Sequence, residues 1–161
     1  MTQVCLVGNE DVNLQYELLS RETSRDALAA YDLREPFVNS IAVETISLGG
    51  AVALLNDLSW YRVRFVRESF VLEPSISDEE YLSADLAAAI RDDAVDPDES
   101  ERFLKIFGLE AQTNGDQNVE SPPRLVEPMF VTRTGETLPD YDLRDVSETL
   151  RVRVTESEFG A

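Results

Sequence analysis

The stretch from Ser40 to Leu72, SIAVETISLGGAVALLNDLSWYRVRFVRESFVL, limits most narrowly what this chain can fold into. Ile41 to Ser47 reads as a strand. Leu48, Val52, Leu55 and Leu58 or Ser59 then recur at helical spacing, behind Ser47 as a side-chain N-cap. Tyr61, Val63 and Phe65 alternate with Arg62 and Arg64, the period-two pattern of a strand with one buried face. Arg67-Glu68 predicts a turn into a last strand, Phe70 to Leu72. Strand, helix, strand and strand in so short a span require a layer of helix on a layer of sheet.

The flanking segments extend this frame. Gln3 to Val7 is a continuous apolar run, as in a strand covered on both faces. Val12, Leu14, Tyr16 and Leu18 alternate with polar residues and predict a hairpin partner, with a helix beginning near Asn13 as the rival reading. Thr23 and Asp26 resemble a capping box ahead of Ala27, Leu28, Ala30 and Tyr31, and Pro36 closes that helix. Ser77 and Glu80 form a second capping box ahead of Tyr81, Leu82, Leu86, Ala89 and Ile90. Asp96-Pro97-Asp98-Glu99 opens a further helix with Phe103, Leu104, Ile106 and Phe107 on its apolar side and Gly108 as C-cap. Residues 110–124 are polar, with Asn-Gly and Pro-Pro, and read as a flexible linker. Met129 to Thr132 and Leu150 to Val154 read as two strands beyond it, around a polar connection containing Thr134-Gly135. The expected organisation is a core domain over 1–109, the linker over 110–124 and a β appendage over 125–161. The fold class is α+β: a mainly antiparallel sheet of five or six strands carrying three to four helices, for which a ferredoxin-like arrangement is one solution.

Charge narrows the setting. The chain has 32 acidic against 14 basic residues, a net of −18, and no His. Lys105 is its single lysine, so the other basic residues are arginines. Self-repulsion at this charge destabilises a compact state in dilute buffer, but in about 1 M salt the Debye length is about 3 Å and the repulsion is screened. Acid excess, lysine depletion and an intact apolar core point to the cytoplasm of a halophile. The same charge disfavours extended nucleic-acid contact, which needs a basic footprint. No run approaches the roughly 20 apolar residues of a membrane span, and Met1 leads into a strand rather than a signal peptide.

Catalytic signals are weak. Cys5 stands alone in VCLV, which excludes an intramolecular disulfide and a cysteine-cluster metal site. No His supplies a base for it. Acids between Asp92 and Glu101 miss the calcium-loop pattern, lacking its glycine and terminal glutamate, so no metal or cofactor is expected. Gly49-Gly50 at a helix start could offer bare backbone N–H groups to an anion, but the spacing matches no phosphate-loop motif. Arg62 and Arg64, on one face of the expected strand, form a stripe suited to a phosphate or a carboxylate-rich partner. Arg151 and Arg153 repeat the pattern between Leu150, Val152 and Val154. Asp57, Tyr61 and Arg62 are the grouping an enzyme of carboxylate, Tyr and Arg chemistry would use; no catalytic residue is assigned.

Four blocks, Val4–Gly8, Tyr16–Pro36, Leu55–Phe65 and Ser77–Asp92, resemble a small haloarchaeal protein family of unknown function, over about residues 1–109. That resemblance implies no activity. More loosely, strand, helix, strand and the helix SLGGAVALLNDL with Leu55-Asn56 are similar to the small dimerising subunit of the KEOPS tRNA-modification complex, which implies an accessory role beside RNA. The favoured function is a non-enzymatic adaptor or assembly subunit that binds a protein partner or a second copy. An RNA- or phosphate-ligand-binding module and an enzyme are the alternatives.

Overall fold

The structure, a computed structural model, describes residues 1–110, 122–133 and 148–160. Strand β1 (Thr2–Gly8) is the centre of its first half, paired antiparallel with β2 (Ser40–Thr45) on one side and β3 (Val66–Leu72) on the other. Its unbroken apolar run has the cause expected of it, because both faces are covered. Val4 and Leu6 join the core under the helices, whereas Cys5 and Val7 join a second core on the opposite face. Burial pushes the Cys5 thiol up to about 12, against a lesser opposing pull from Arg34, so it packs as an unreactive apolar group.

The segment after β1 is helical, and the expected hairpin strand at Val12–Leu18 gives way to α1 (Leu14–Leu19). Asn13 decides this by capping: its Oδ1 accepts the Tyr16 N–H, and Leu14 and Leu18, four apart, are the buried pair while Tyr16 is 67% exposed. Gly8 admits the turn. A Cβ there would stand 2.6 Å from the Asn39 side-chain nitrogen, and that side chain ties Leu14, Asn9 and Val12 together. Helix α2 (Glu22–Leu28) starts one residue before the expected Thr23 cap.

Ser47 caps α3 (Leu48–Asp57) as the sequence indicates, accepting the Gly50 N–H. The next segment does not follow expectation. Ser59–Phe65 is helix α4, not a strand, and Arg67-Glu68 lie inside β3 instead of in a turn. The Leu58 N–H bonds Leu54 O and the Arg62 N–H bonds Leu58 O, so the helical path resumes after a break at Leu58 alone. Tyr61 turns into the core while Val63 is 82% exposed, a pair of environments that the period-two reading equates.

Two further expectations are corrected. Tyr81–Ser83 forms strand β4, and α5 (Ala84–Arg91) begins only after Ser83, whose hydroxyl accepts the Leu86 N–H. Ser77 accepts from Glu79 and Glu80 N–H groups in a turn. The helix expected from Asp96 is one 3₁₀ turn, Pro97–Glu99, capped by Asp96. Phe103, Leu104, Ile106 and Phe107 belong to strand β5 (Phe103–Glu110), where Leu104 and Ile106 take one face and Phe103 and Phe107 the other. Gly108 follows a shift in strand register and caps no helix. Strands β6 (Arg124–Thr132) and β7 (Glu148–Arg153) and the short helix α6 (Glu156–Gly160) complete the described elements. Most of the flexible linker expected over 110–124 and of the Thr134-Gly135 connection falls on residues 111–121 and 134–147, outside the described residues, whereas Glu110 ends β5 and Arg124 begins β6, so the two ends of the expected linker are strand.

The fold is mixed α and β, with six α-helices and one sheet of seven strands among the described residues, in the order β2-β1-β3-β4-β7-β5-β6. Every pairing is antiparallel except β4 with β7. Helix number, strand number and strand order all depart from the expected three to four helices and ferredoxin-like solution. The sheet curls on itself. Phe70 of β3 meets Phe107 of β5 at 5.6 Å, and Lys105 of β5 reaches Glu68 of β3 at 2.8 Å, although two strands separate them in the order. Helices α1 to α5 cover the outer face of the β1–β4 half, and the second core fills the curl. No described helix is long and apolar enough to cross a membrane.

Candidate functional site

Helix α4 places Arg62 and Arg64 on different faces, since two residues along a helix turn the side chain by about 200°. Arg62 points inward, donating from Nε to Ser69 Oγ at 3.1 Å and from Nη1 to Leu55 O at 3.3 Å. Burial lowers its pKa, with Asp85 opposing. Arg64 stays exposed and lies 3.7 Å over the Trp60 ring, donating to the Trp60 carbonyl at 2.9 Å. Trp60 is 50% exposed yet packs edge-on to Tyr61 and Phe65. Arg21 also lies over the Phe65 ring, at 4.8 Å. The result is an exposed Trp60 and Val63 beside a stacked guanidinium, on a segment that carries no acid from Leu58 to Arg67. Cation–π stacking holds such a guanidinium in place for a gain of about 0.5–1 kcal/mol at an exposed site.

The other sequence candidates separate. Gly49 and Gly50 stand at the exposed start of α3, where Ser47 already takes the Gly50 N–H. A Cβ at either would meet its nearest neighbour at 3.8 or 3.5 Å, ordinary contact, so close packing does not demand glycine there. Asp57, Tyr61 and Arg62 are linked by no hydrogen bond or ion pair: Asp57 is exposed, Tyr61 is buried and Arg62 faces Ser69.

Arg151 and Arg153 lie on a face of β7 that the sequence treats as exposed, yet Arg153 is buried. Its Nε donates to Glu80 Oε1 at 2.8 Å and its Nη1 to Ser100 Oγ at 3.1 Å. Arg133, just past β6, donates to Glu80 Oε2 at 2.5 Å and to the Glu101 carbonyl at 3.2 Å. Arg151 approaches the same carboxylate at 3.6 Å. Three guanidiniums thus converge on one buried carboxylate. Burial alone would raise the Glu80 pKa, but hydrogen bonds and charge from Arg133 and Arg153 outweigh it and hold the carboxyl below its ordinary range. A cleft of about 690 Å³ opens beside this cluster, with Leu86, Val95, Phe103 and Val154 as its apolar wall and Asp98, Glu99, Glu101 and Glu156 on its rim. Arg102 and Arg133 also line it.

This cluster does not emerge from sequence reasoning. Glu80 looks like a capping residue, and its bond to Arg153 spans 73 positions, beyond any local pattern. Trp60 carries no signal of exposure, because the same letters read equally well as a buried strand.

No curated protein and no solved structure matches the chain. A family model matches residues 2–109, which span β1 to nearly all of β5: that of DUF5804, described as a family of unknown function.

Proposed function

The chain belongs to DUF5804, a family of unknown function, and within that frame we propose that it is a non-enzymatic assembly subunit that holds a protein partner on the exposed side of α4. One observation carries this reading: Trp60, half exposed under the Arg64 guanidinium, beside a Val63 that is 82% exposed. Trp and Arg dominate the energetic centres of protein interfaces, and both sit here on one helix. Chemistry at the buried cluster is disfavoured by its own geometry. Glu80 is held ionised and fully engaged, which suits neither a general acid nor a general base near neutral pH.

The setting we infer is the cytoplasm of a halophile, on the strength of the −18 net charge and the single lysine. A phosphate-bearing partner, including RNA, is the second reading, favoured by the same stacked Arg64. Capture from native lysate in about 2 M KCl, with the parent chain and a Trp60→Ala, Val63→Ser double variant, tests both. The variant should fold and lose the partner that the parent retains, and the captured material identifies protein or RNA. A variant that keeps every partner of the parent removes α4 from consideration.

A further inference from the structure

Exposed residues run from the end of α3 across the break at Leu58 onto α4. Trp60 and Arg64, four residues apart in α4, share a face, and Asp57, the last residue of α3, precedes Trp60 by three residues across the break at Leu58. All three are exposed, and Val63 stands beside them. Along the chain, this exposed strip is acid, tryptophan, guanidinium.

We propose that this strip is a homodimer contact in which two copies of the chain cross antiparallel about a twofold axis at Trp60. The proposal rests on α4 being a protein-binding surface and names the partner as a second copy. A twofold contact requires a patch that complements itself when turned by 180°. An acid three residues before Trp60 and a cation four residues after it meet that requirement. Antiparallel crossing sets Arg64 against the partner subunit's Asp57, and Asp57 against the partner subunit's Arg64. The two Trp60 rings and the Val63 side chains form the apolar centre, with the charged pairs at the rim. Arg64 is already ordered over Trp60, so little side-chain freedom is lost on contact.

Charge distinguishes this occupant from a polyanion. Two chains of net −18 repel at long range, so self-association tightens as salt rises. Binding of a nucleic acid to the same guanidiniums would weaken with salt.

Sedimentation velocity on the full chain tests the proposal. At about 1–100 µM chain, the parent should move toward twice the monomer mass as KCl goes from about 0.1 to 1 M. At about 1 M the Debye length still spans a direct ion pair, so Asp57→Arg alone and Arg64→Asp alone should each weaken the dimer about tenfold. Mixing these two single variants should restore it. One chain then brings only cations to the rim and the other only carboxylates, so both rim contacts of the heterodimer pair opposite charges. Trp60→Ala should weaken the dimer about a hundredfold. A parent chain of single mass at every salt and concentration overturns the proposal, as does a mixture no better than its components. If that monomeric parent still loses a different protein on Trp60→Ala, Val63→Ser substitution, the self-contact is wrong and the partner-binding role of α4 stands. If it captures nothing, both fall.

Discussion

Glu80 is where three guanidiniums meet one buried carboxylate. Its carboxylate answers two buried guanidiniums, Arg133 and Arg153, with a third at 3.6 Å. Removing one partner of a buried pair costs about 3–5 kcal/mol, because the remaining charge keeps its desolvation penalty. Glu80→Gln should therefore lower stability by about that amount at pH 7, measured by denaturant melts in high salt. The pH dependence has a fixed sign. The folded-state pKa of Glu80 lies below its unfolded value, so its contribution is present above the unfolded carboxyl pKa of about 4.3 and is lost as pH falls through the folded value. The parent should lose stability steeply below about pH 4, and the Gln variant should lose less over the same interval. Parallel curves would mean that Glu80 does not carry the ion cluster.

At the level of elements, legibility follows the length and the caps of each segment. Strand β1 is readable because an uninterrupted Val-Cys-Leu-Val run has few alternatives to two-sided burial, and α3 because Ser47 and its leucines agree on one start and one period. Helix α4 and strand β5 each take the type expected of the other. They are windows of seven and eight residues with an apolar residue at nearly every second or third position, and such windows fit either period. What decides them lies elsewhere in the chain: the Leu54–Leu58–Arg62 hydrogen bonds for α4, and the β6 and β7 partners for β5. The candidate site is legible only as a set of arginines, because Arg62, Arg64 and Arg153 share a residue type and nothing else: one faces the core, one a tryptophan, one a buried acid. The strands after residue 124 read as an appendage in the sequence, whereas β7 lies between β4 and β5 in the sheet order. A chain ending at Leu109 would leave β4 and β5 unpaired along the edges that β7 occupies, and Glu80 without Arg133, Arg151 and Arg153. It should be molten or insoluble in about 2 M KCl, as read by near-ultraviolet circular dichroism. A soluble, cooperatively melting fragment would establish 1–109 as a domain in its own right.

For the whole molecule the governing quantity is its charge. With 32 acids against 14 bases, dilution from about 1 M to tens of millimolar KCl lengthens the Debye length from about 3 Å to above 10 Å and restores repulsion among surface carboxylates. The melting temperature should fall continuously over that titration, and an unchanged value would remove the argument for a high-salt cell. The placement of β7 has a further consequence, in time rather than in space. A ribosome delivers β4 with Glu80 long before it delivers residue 148, at about 5–20 residues per second. For several seconds the nascent chain has β4 without the strand that pairs with it in the finished sheet, and a carboxylate whose cations have not yet been made. The last described strand to emerge belongs between two that precede it in the chain, so the sheet cannot be completed before residue 153 is made, and any pause in translation between residues 110 and 148 lengthens the interval in which the edge of β4 is open to another chain.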